Sequence, residues 1–136
     1  AGEGADLGKL REVAPSNLTA LGRLSRPDVA ALLEAADVFC FPSESEGLPT
    51  SVLEAAVCDT FIVATPVGGI SEIVPDAAYG AVLKSGDATE CAETLRKAFS
   101  DPDATRACAR RCREHVEREF SWAKAADDLL AAIRGR

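Results

Sequence analysis

Two apolar runs of strand length, DVFCFP at residues 37 to 42 and FIVAT at residues 61 to 65, flank the segment PTSVLEAAVC at residues 49 to 58, which carries helix signals. A run without polar alternation describes a strand covered on both faces, and such strands belong to parallel sheets clothed in helices. Strand, helix and strand in that order make a parallel crossover unit, so an α/β fold is expected, with residues 37 to 42 as a buried parallel strand. Residues 6 to 14 suggest a short helix, and Leu18 to Leu21 a short strand ending at Gly22. Ser25 suits a helix cap, with Pro27 in the first turn, where a missing N–H costs little. That helix presents Val29, Leu32, Leu33 and Ala36 on one face. Beyond FIVAT come a Gly68-Gly69 turn, a short helix through Ile73 and a strand from Ala81 to Leu83. Asp87 caps a helix to about Phe99, Pro102 opens one to about Glu119, and Ser121 caps the last, through Ile133. Trp122, just behind that cap, is expected to pin the last helix to the body.

The chain has 136 residues, 47% of them hydrophobic, which is enough for one core and too little for two complete domains. It is expected to form a single domain, residues 1–136, with an α/β body over 1–120 and a C-terminal helix over 121–136. Its opening, Gly2-Glu3-Gly4, is loop chemistry with no strand before it, so the domain is expected to be truncated at its N-terminus. A formal charge of −7 supplies no basic field for a phosphate backbone, which argues against nucleic-acid partners and against broad binding to anionic membranes. No apolar run approaches the roughly 18 residues of a transmembrane segment, and the first residues lack a signal peptide's regions. Five cysteines, an odd count without a short-loop framework, read as free thiols of a reducing, cytoplasmic compartment. A longer parent protein could still lie peripherally at a membrane.

The most informative stretch is the strand, loop and helix DVFCFPSESEGLPTSVLEAA. In open parallel sheets ligands sit beyond the carboxyl ends of the strands, which places the SESEG loop where a site belongs. The helix behind it should direct the N–H groups of Thr50, Ser51 and Val52 toward that crevice, where they attract phosphate. Two acids bracket this terminus, Glu46 in the loop and Glu54 about one turn into the helix. Helical side chains lean toward the N-terminus, so Glu54 can reach back toward the crevice that Glu46 overlooks. The helix is otherwise apolar nearly all round, which makes Glu54 a partly buried carboxylate in need of donors, and paired sugar hydroxyls are good ones. Spacing alone leaves open a plainer reading, with Glu54 on a narrow solvent stripe and Glu46 in an ordinary polar loop.

Four ordered segments, LTALGRLSRPDVAALLEAADVFCFPSESEGLPTSVLEAA, IVATPVGGISEIV, GAVLKSGD and EFSWAKAADDLL, carry a resemblance over Asn17 to Leu130. Together they resemble the C-terminal nucleotide-sugar domain of retaining glycosyltransferases of family 4 (glycosyl transferases group 1), which have the two-domain GT-B fold. The resemblance implies a Rossmann-like three-layer domain with a parallel sheet and C-terminal helices. By motif position, Glu46 would contact hydroxyls of the donor sugar, the backbone of Gly47, Leu48, Pro49, Thr50 and Ser51 would cradle sugar and diphosphate, and Glu54 would bind the ribose. Backbone near Gly22 and Arg23 would face the base. Gly68 and Gly69 match a family turn, which contacts ligand or is simply a turn. The implied activity is transfer of a sugar from a nucleotide-diphosphate sugar to an acceptor hydroxyl with retention, Glu46 being the catalytic-site acid that orients the donor. No metal or other cofactor is expected, and the implied partners are the nucleotide sugar and an N-terminal acceptor domain.

Departures accompany the likeness. Asp59 and Phe61 stand where the family usually has a glycine and a proline, and Ala56 where it has a methionine. The family's arginine and lysine that face the diphosphate lie in strands absent from these residues, leaving only N–H dipoles in view, so the chain alone is expected not to transfer sugar. A noncatalytic nucleotide-binding or interaction module on the same scaffold is the alternative. Cys108, Cys112 and His115 share a helical face at metal-ligand spacing, but Val116 and Phe120 extend that stripe, which favours core packing.

Overall fold

The computed structural model describes residues 1–135, which form two compact units, Ala1–Leu32 and the chain from Leu33 onward. The first unit holds helix α1 (Leu7–Val13), which buries no residue, and the start of helix α2 (Arg26–Ala35). The strand expected at Leu18 to Leu21 does not form. Leu18 N–H turns back to Pro15 O at 2.9 Å, and Arg11 Nη2 donates to Ala20 O at 3.2 Å. A strand is stabilised by a neighbouring ladder rather than by its own sequence, and this segment spends its backbone groups on a turn and a side chain instead. Gly22 closes the segment at φ +69°, and its carbonyl accepts the Gly2 N–H at 2.7 Å. Ser25 caps α2 as expected: its hydroxyl accepts from Asp28 N and donates to the Asp28 carboxylate.

The second unit carries a parallel three-stranded sheet of β1 (Val38–Phe41), β2 (Phe61–Ala64) and β3 (Ala81–Val82), in that spatial order. Val38 pairs with Phe61 and Val63 with Ala81, so all carboxyl ends point the same way. With helices packed on it, this is the Rossmann-like α/β architecture expected. The two apolar runs nevertheless differ. Every residue of β2 is buried, whereas β1 is only half-buried and Cys40 is exposed, because β2 has neighbours on both sides and β1 borders the sheet among the described residues. Phe39 and Phe41, two apart and therefore on one face, stack with ring centroids 5.9 Å apart.

Helix α3 (Thr50–Val57) joins β1 to β2, and the short helix α4 (Ile70–Ile73) lies between β2 and β3. Helices α5 (Ala88–Ser100), α6 (Pro102–Glu119) and α7 (Trp122–Arg134) follow, each opened by its side-chain cap: Asp87 accepts from Glu90 N, Asp101 from Ala104 N and Ser121 from Lys124 N. Phe61 and Val63 of β2 and Leu83 just past β3 pack with Ala98 of α5 and Ala109 of α6, and Val38, Ala81, Cys91, Leu95 and Cys108 seal the edges. Thr60, fully buried, sends its hydroxyl to Leu33 O at 2.8 Å. The stripe of Cys112, His115 and Cys108 is packing surface. Cys112 Sγ faces Ile73 O, Cys108 Sγ faces Ala77 O, and His115 Nε2 meets Glu72 O at 2.7 Å, its ring against Tyr79 and Phe120. Burial pushes the Cys112 thiol up to about 11. Trp122 does not pin α7: it is 92% exposed, and α7 buries none of its residues. The residue that turns inward at this junction is Phe120, half-buried beside His115. Among the described residues no helix is long and apolar enough to cross a membrane.

The exit of α3 supports a first prediction. Thr60 N–H bonds Ala55 O and Asp59 N–H bonds Ala56 O, both at 3.2 Å, which is a Schellman closure with Asp59 at its left-handed position, φ +57°. Aspartate tolerates that conformation better than most residues, so the closure survives without glycine. Asp59→Ala is expected to be about 1 kcal/mol less stable than Asp59→Gly in urea unfolding, the cost of placing a plain Cβ at positive φ.

A second prediction concerns acid. Glu90 reaches back past the Asp87 cap to accept Lys84 N at 2.7 Å, Ser85 N at 2.8 Å and Gly86 N at 3.1 Å, and these N–H groups hold its carboxyl down to about 2. A depressed carboxylate contributes its stability fully above its unfolded value and loses it as pH falls toward the folded one. Stability should therefore decline between about pH 4.5 and 2. Glu90→Gln should lower stability at neutral pH and flatten that acid limb in urea unfolding.

Candidate functional site

The parallel sheet delivers three loops to one end: residues 42–49 after β1, residues 65–69 after β2 and residues 83–87 after β3. Glu46 lies in the first, exposed, with Ser43 Oγ donating to its Oε1 at 2.9 Å. The Ser43 hydroxyl also faces Ser45 O, at the longer 3.4 Å. Gly47 and Leu48 are exposed as well, while Pro49 is buried and stands as the cap residue of α3. Pro49 offers no side-chain cap, and its carbonyl takes the N–H groups of Val52 and Leu53. The Thr50 and Ser51 N–H groups consequently have no partner among the described residues. They face the end of the sheet with the positive pole of the helix behind them.

Glu54, one turn further on, is exposed rather than partly buried as expected. The helix buries Val52, Ala55 and Ala56, and Glu54 falls on the flank left uncovered. An exposed carboxylate carries no desolvation burden, so its need for donors is not an argument for a ligand. No protein group bonds it among the described residues, which leaves both its oxygens available. Gly22 and Arg23 belong to the first unit, where Gly22 is buried and Arg23 lies 3.7 Å from Glu3 in an exposed ion pair. A cavity of about 610 Å³ there is lined by Leu7, Leu10 and residues 18–22, among others.

Gly68 and Gly69 prove to be support for the first loop. The Gly69 N–H donates to Gly47 O at 2.7 Å. Gly68, at φ +53°, lies so close that a Cβ there would sit 2.5 Å from Glu46 O and nearer still to Gly47 O. Only glycine meets both the backbone angle and the clearance. The buried Thr65 completes the grip, its hydroxyl making a short hydrogen bond to Ser43 O.

Beside this loop a cavity of about 350 Å³ opens at the carboxyl ends of the strands, lined by Ser43, Glu44, Thr65, Lys84, Ser85 and Gly86 among others. Lys84 brings a cation to this end of the sheet. Lys84 lies nearly forty positions from Glu46 and no local motif links them, so the sequence alone displays only dipoles here. A cavity of about 410 Å³ around Asp37, Asp59, Phe99 and Arg106 lies at the amino ends of the strands, away from these loops. Among the described residues no group of three or more histidine, cysteine, aspartate or glutamate side chains is placed to hold a metal.

Known proteins share both the sequence and the fold. A D-inositol 3-phosphate glycosyltransferase from Saccharomonospora viridis is 35% identical over 107 residues, which is 79% of this chain and 25% of that protein. A GDP-mannose-dependent monoacylated alpha-(1-6)-phosphatidylinositol monomannoside mannosyltransferase from Corynebacterium glutamicum is 35% identical over 113 residues, 78% of this chain and 29% of that protein. The solved structure of a sucrose-phosphate synthase from Thermosynechococcus elongatus superposes with a TM-score of 0.80 at 26% identity, covering 94% of this chain and 32% of that one. The chain thus spans about a quarter of the length of the curated relatives it matches. The model of the glycosyl transferases group 1 family matches residues 9–115, most of the chain, and the chain belongs to that family.

Proposed function

We propose that these residues form the donor-binding part of a retaining glycosyltransferase of the two-domain GT-B kind, which moves a sugar from a nucleotide-diphosphate sugar to an acceptor hydroxyl. The observation that carries this reading is the joint position of Glu46 and the open N-terminus of α3. A braced acidic side chain and two unpaired N–H groups share the end of a parallel sheet where ligands bind. In this reading Glu46 accepts hydroxyl protons of the sugar, and the backbone of residues 47–51 receives the diphosphate. Glu54, with two free carboxylate oxygens, takes the paired ribose hydroxyls. The acceptor is held by a separate domain of a longer protein, in keeping with the share of its relatives that the chain spans.

Transfer requires stabilisation of the negative charge that grows on the departing diphosphate. We assign that task to fixed N–H dipoles, those of Thr50 and Ser51 first, without a metal. Lys84 adds positive charge to the same end of the sheet. Glu46 acts by orienting the donor and not as a glycosidase nucleophile. Support for a nucleotide sugar as donor comes from the family and from the GDP-mannose dependence stated for the Corynebacterium relative.

The third prediction separates the two acids. In calorimetric titrations with UDP, GDP, UDP-glucose and GDP-mannose, Glu54→Ala should weaken every nucleotide that binds by about tenfold, the value of a hydrogen-bonded charged group. Glu46→Ala should leave the nucleoside diphosphates within about twofold and remove the extra affinity contributed by the sugar. Equal losses on both ligand sets would refute this division of roles. Indifference of the unaltered chain to all four would point instead to a noncatalytic interaction module.

A further inference from the structure

The loop after β2 holds the loop after β1 at three points, and each falls on the segment that carries Glu46. Thr65 Oγ1 bonds the carbonyl of Ser43, Gly69 N–H bonds the carbonyl of Gly47, and Gly68 rests against the carbonyls of Glu46 and Gly47. The Ser43 so fixed then donates its own hydroxyl to Glu46 Oε1 at 2.9 Å. From this chain of contacts we infer that Ser43, Thr65 and Gly68 are positioning residues for Glu46: Ser43 orients the carboxylate, Thr65 fixes Ser43, and Gly68 sets the height of the loop.

The physical need is plain. Glu46 is an exposed side chain with several rotatable bonds, and a free one would lose that rotamer entropy on meeting a sugar. The hydroxyl of Ser43 saturates one direction at Oε1 and leaves Oε2 to accept from a ligand. Its other acceptor, Ser45 O at 3.4 Å, is at the limit of a useful hydrogen bond, so the Glu46 contact dominates. Thr65 is 7% exposed, and its hydroxyl is spent on Ser43 O, so its influence on a ligand passes through the loop. Gly68 has no side chain to offer a ligand, and a Cβ there would drive the Glu46 and Gly47 carbonyls away. The inference rests on the donor-site reading and deepens it by extending the site to residues that need not touch the donor.

The test compares Ser43→Ala, Ser43→Thr, Thr65→Val, Thr65→Ser and Gly68→Ala in the full chain, each with UDP, UDP-glucose, GDP and GDP-mannose. Circular dichroism and urea unfolding report on the fold of each variant. Ser43→Ala and Thr65→Val should remove most of the sugar-dependent gain in affinity, roughly tenfold for a charge-assisted hydrogen bond, while nucleoside diphosphate affinity stays within about twofold. Ser43→Thr and Thr65→Ser, which keep the hydroxyls, should restore it, a recovery that a general loss of packing would not show. Gly68→Ala, which would also displace the Gly47 carbonyl, should remove the sugar-dependent gain and weaken the nucleoside diphosphates as well, and if it fails to fold, the serine and threonine pairs still decide. A sugar-dependent gain that persists in Ser43→Ala and Thr65→Val overturns the inference and leaves the donor-site reading intact. An unaltered chain that gains nothing from the sugar overturns that reading, and the inference with it.

Discussion

Parallel pairing of Val38–Phe41 with Phe61–Ala64 is the constraint from which the rest follows. Parallel neighbours release their chains at the same end, so the loops after β1 and β2 must pass side by side in little space. The solution is local and backbone-level. A glycine at φ +53° lets one loop lie directly on the carbonyls of the other, and a threonine hydroxyl ties them. The helices secure this arrangement from beneath. Phe61 and Val63 are held by Ala98 and Ala109, so the strand that supports the second loop sits in the best-buried part of the unit.

Much of this could be read from the residues alone, for identifiable reasons. The run FIVAT is apolar because β2 lies between two strands, and Asp87 and Ser121 cap helices through carboxylate or hydroxyl oxygens that act over three residues. Such signals are short-range, and sequence displays them directly. Asp59 is a similar case, since a residue tolerant of positive φ at a helix exit is a local matter. Position and spacing single out Glu46 and Glu54, and the likeness of four ordered segments adds what spacing cannot, namely the roles expected of them.

What escaped depends on neighbours. Leu18 to Leu21 has strand composition, yet a strand exists only beside another, and this segment leaves the turn at Pro15–Leu18 as irregular chain whose Ala20 carbonyl takes the Arg11 side chain. DVFCFP has the composition of an interior strand but borders the sheet among the described residues, so Cys40 is exposed. The apolar character of α3 conceals that the flank carrying Glu54 faces outward. The part of Ser43 depends on Thr65 and Gly68, which are more than twenty positions away. Lys84 enters the same end of the molecule from a third strand. The exposure of Cys40, the bracing of Ser43 and the arrival of Lys84 have no sequence-local signature, because each is created by the order of strands in the sheet.

Helix α7 carries a separate consequence. Trp122, Leu129, Leu130 and Ile133 are all exposed, and the helix has thirteen residues with no side chain buried. Isolated segments of that length sit near the midpoint of the helix–coil balance in water. Its local supports are the Ser121 cap and the Lys124–Asp128 pair one turn apart. Its folded population is therefore set largely by short-range terms, and it should melt from its far end gradually and at lower temperature than the sheet. A calorimetric trace of the chain would then show a sloping pre-transition ahead of the cooperative peak.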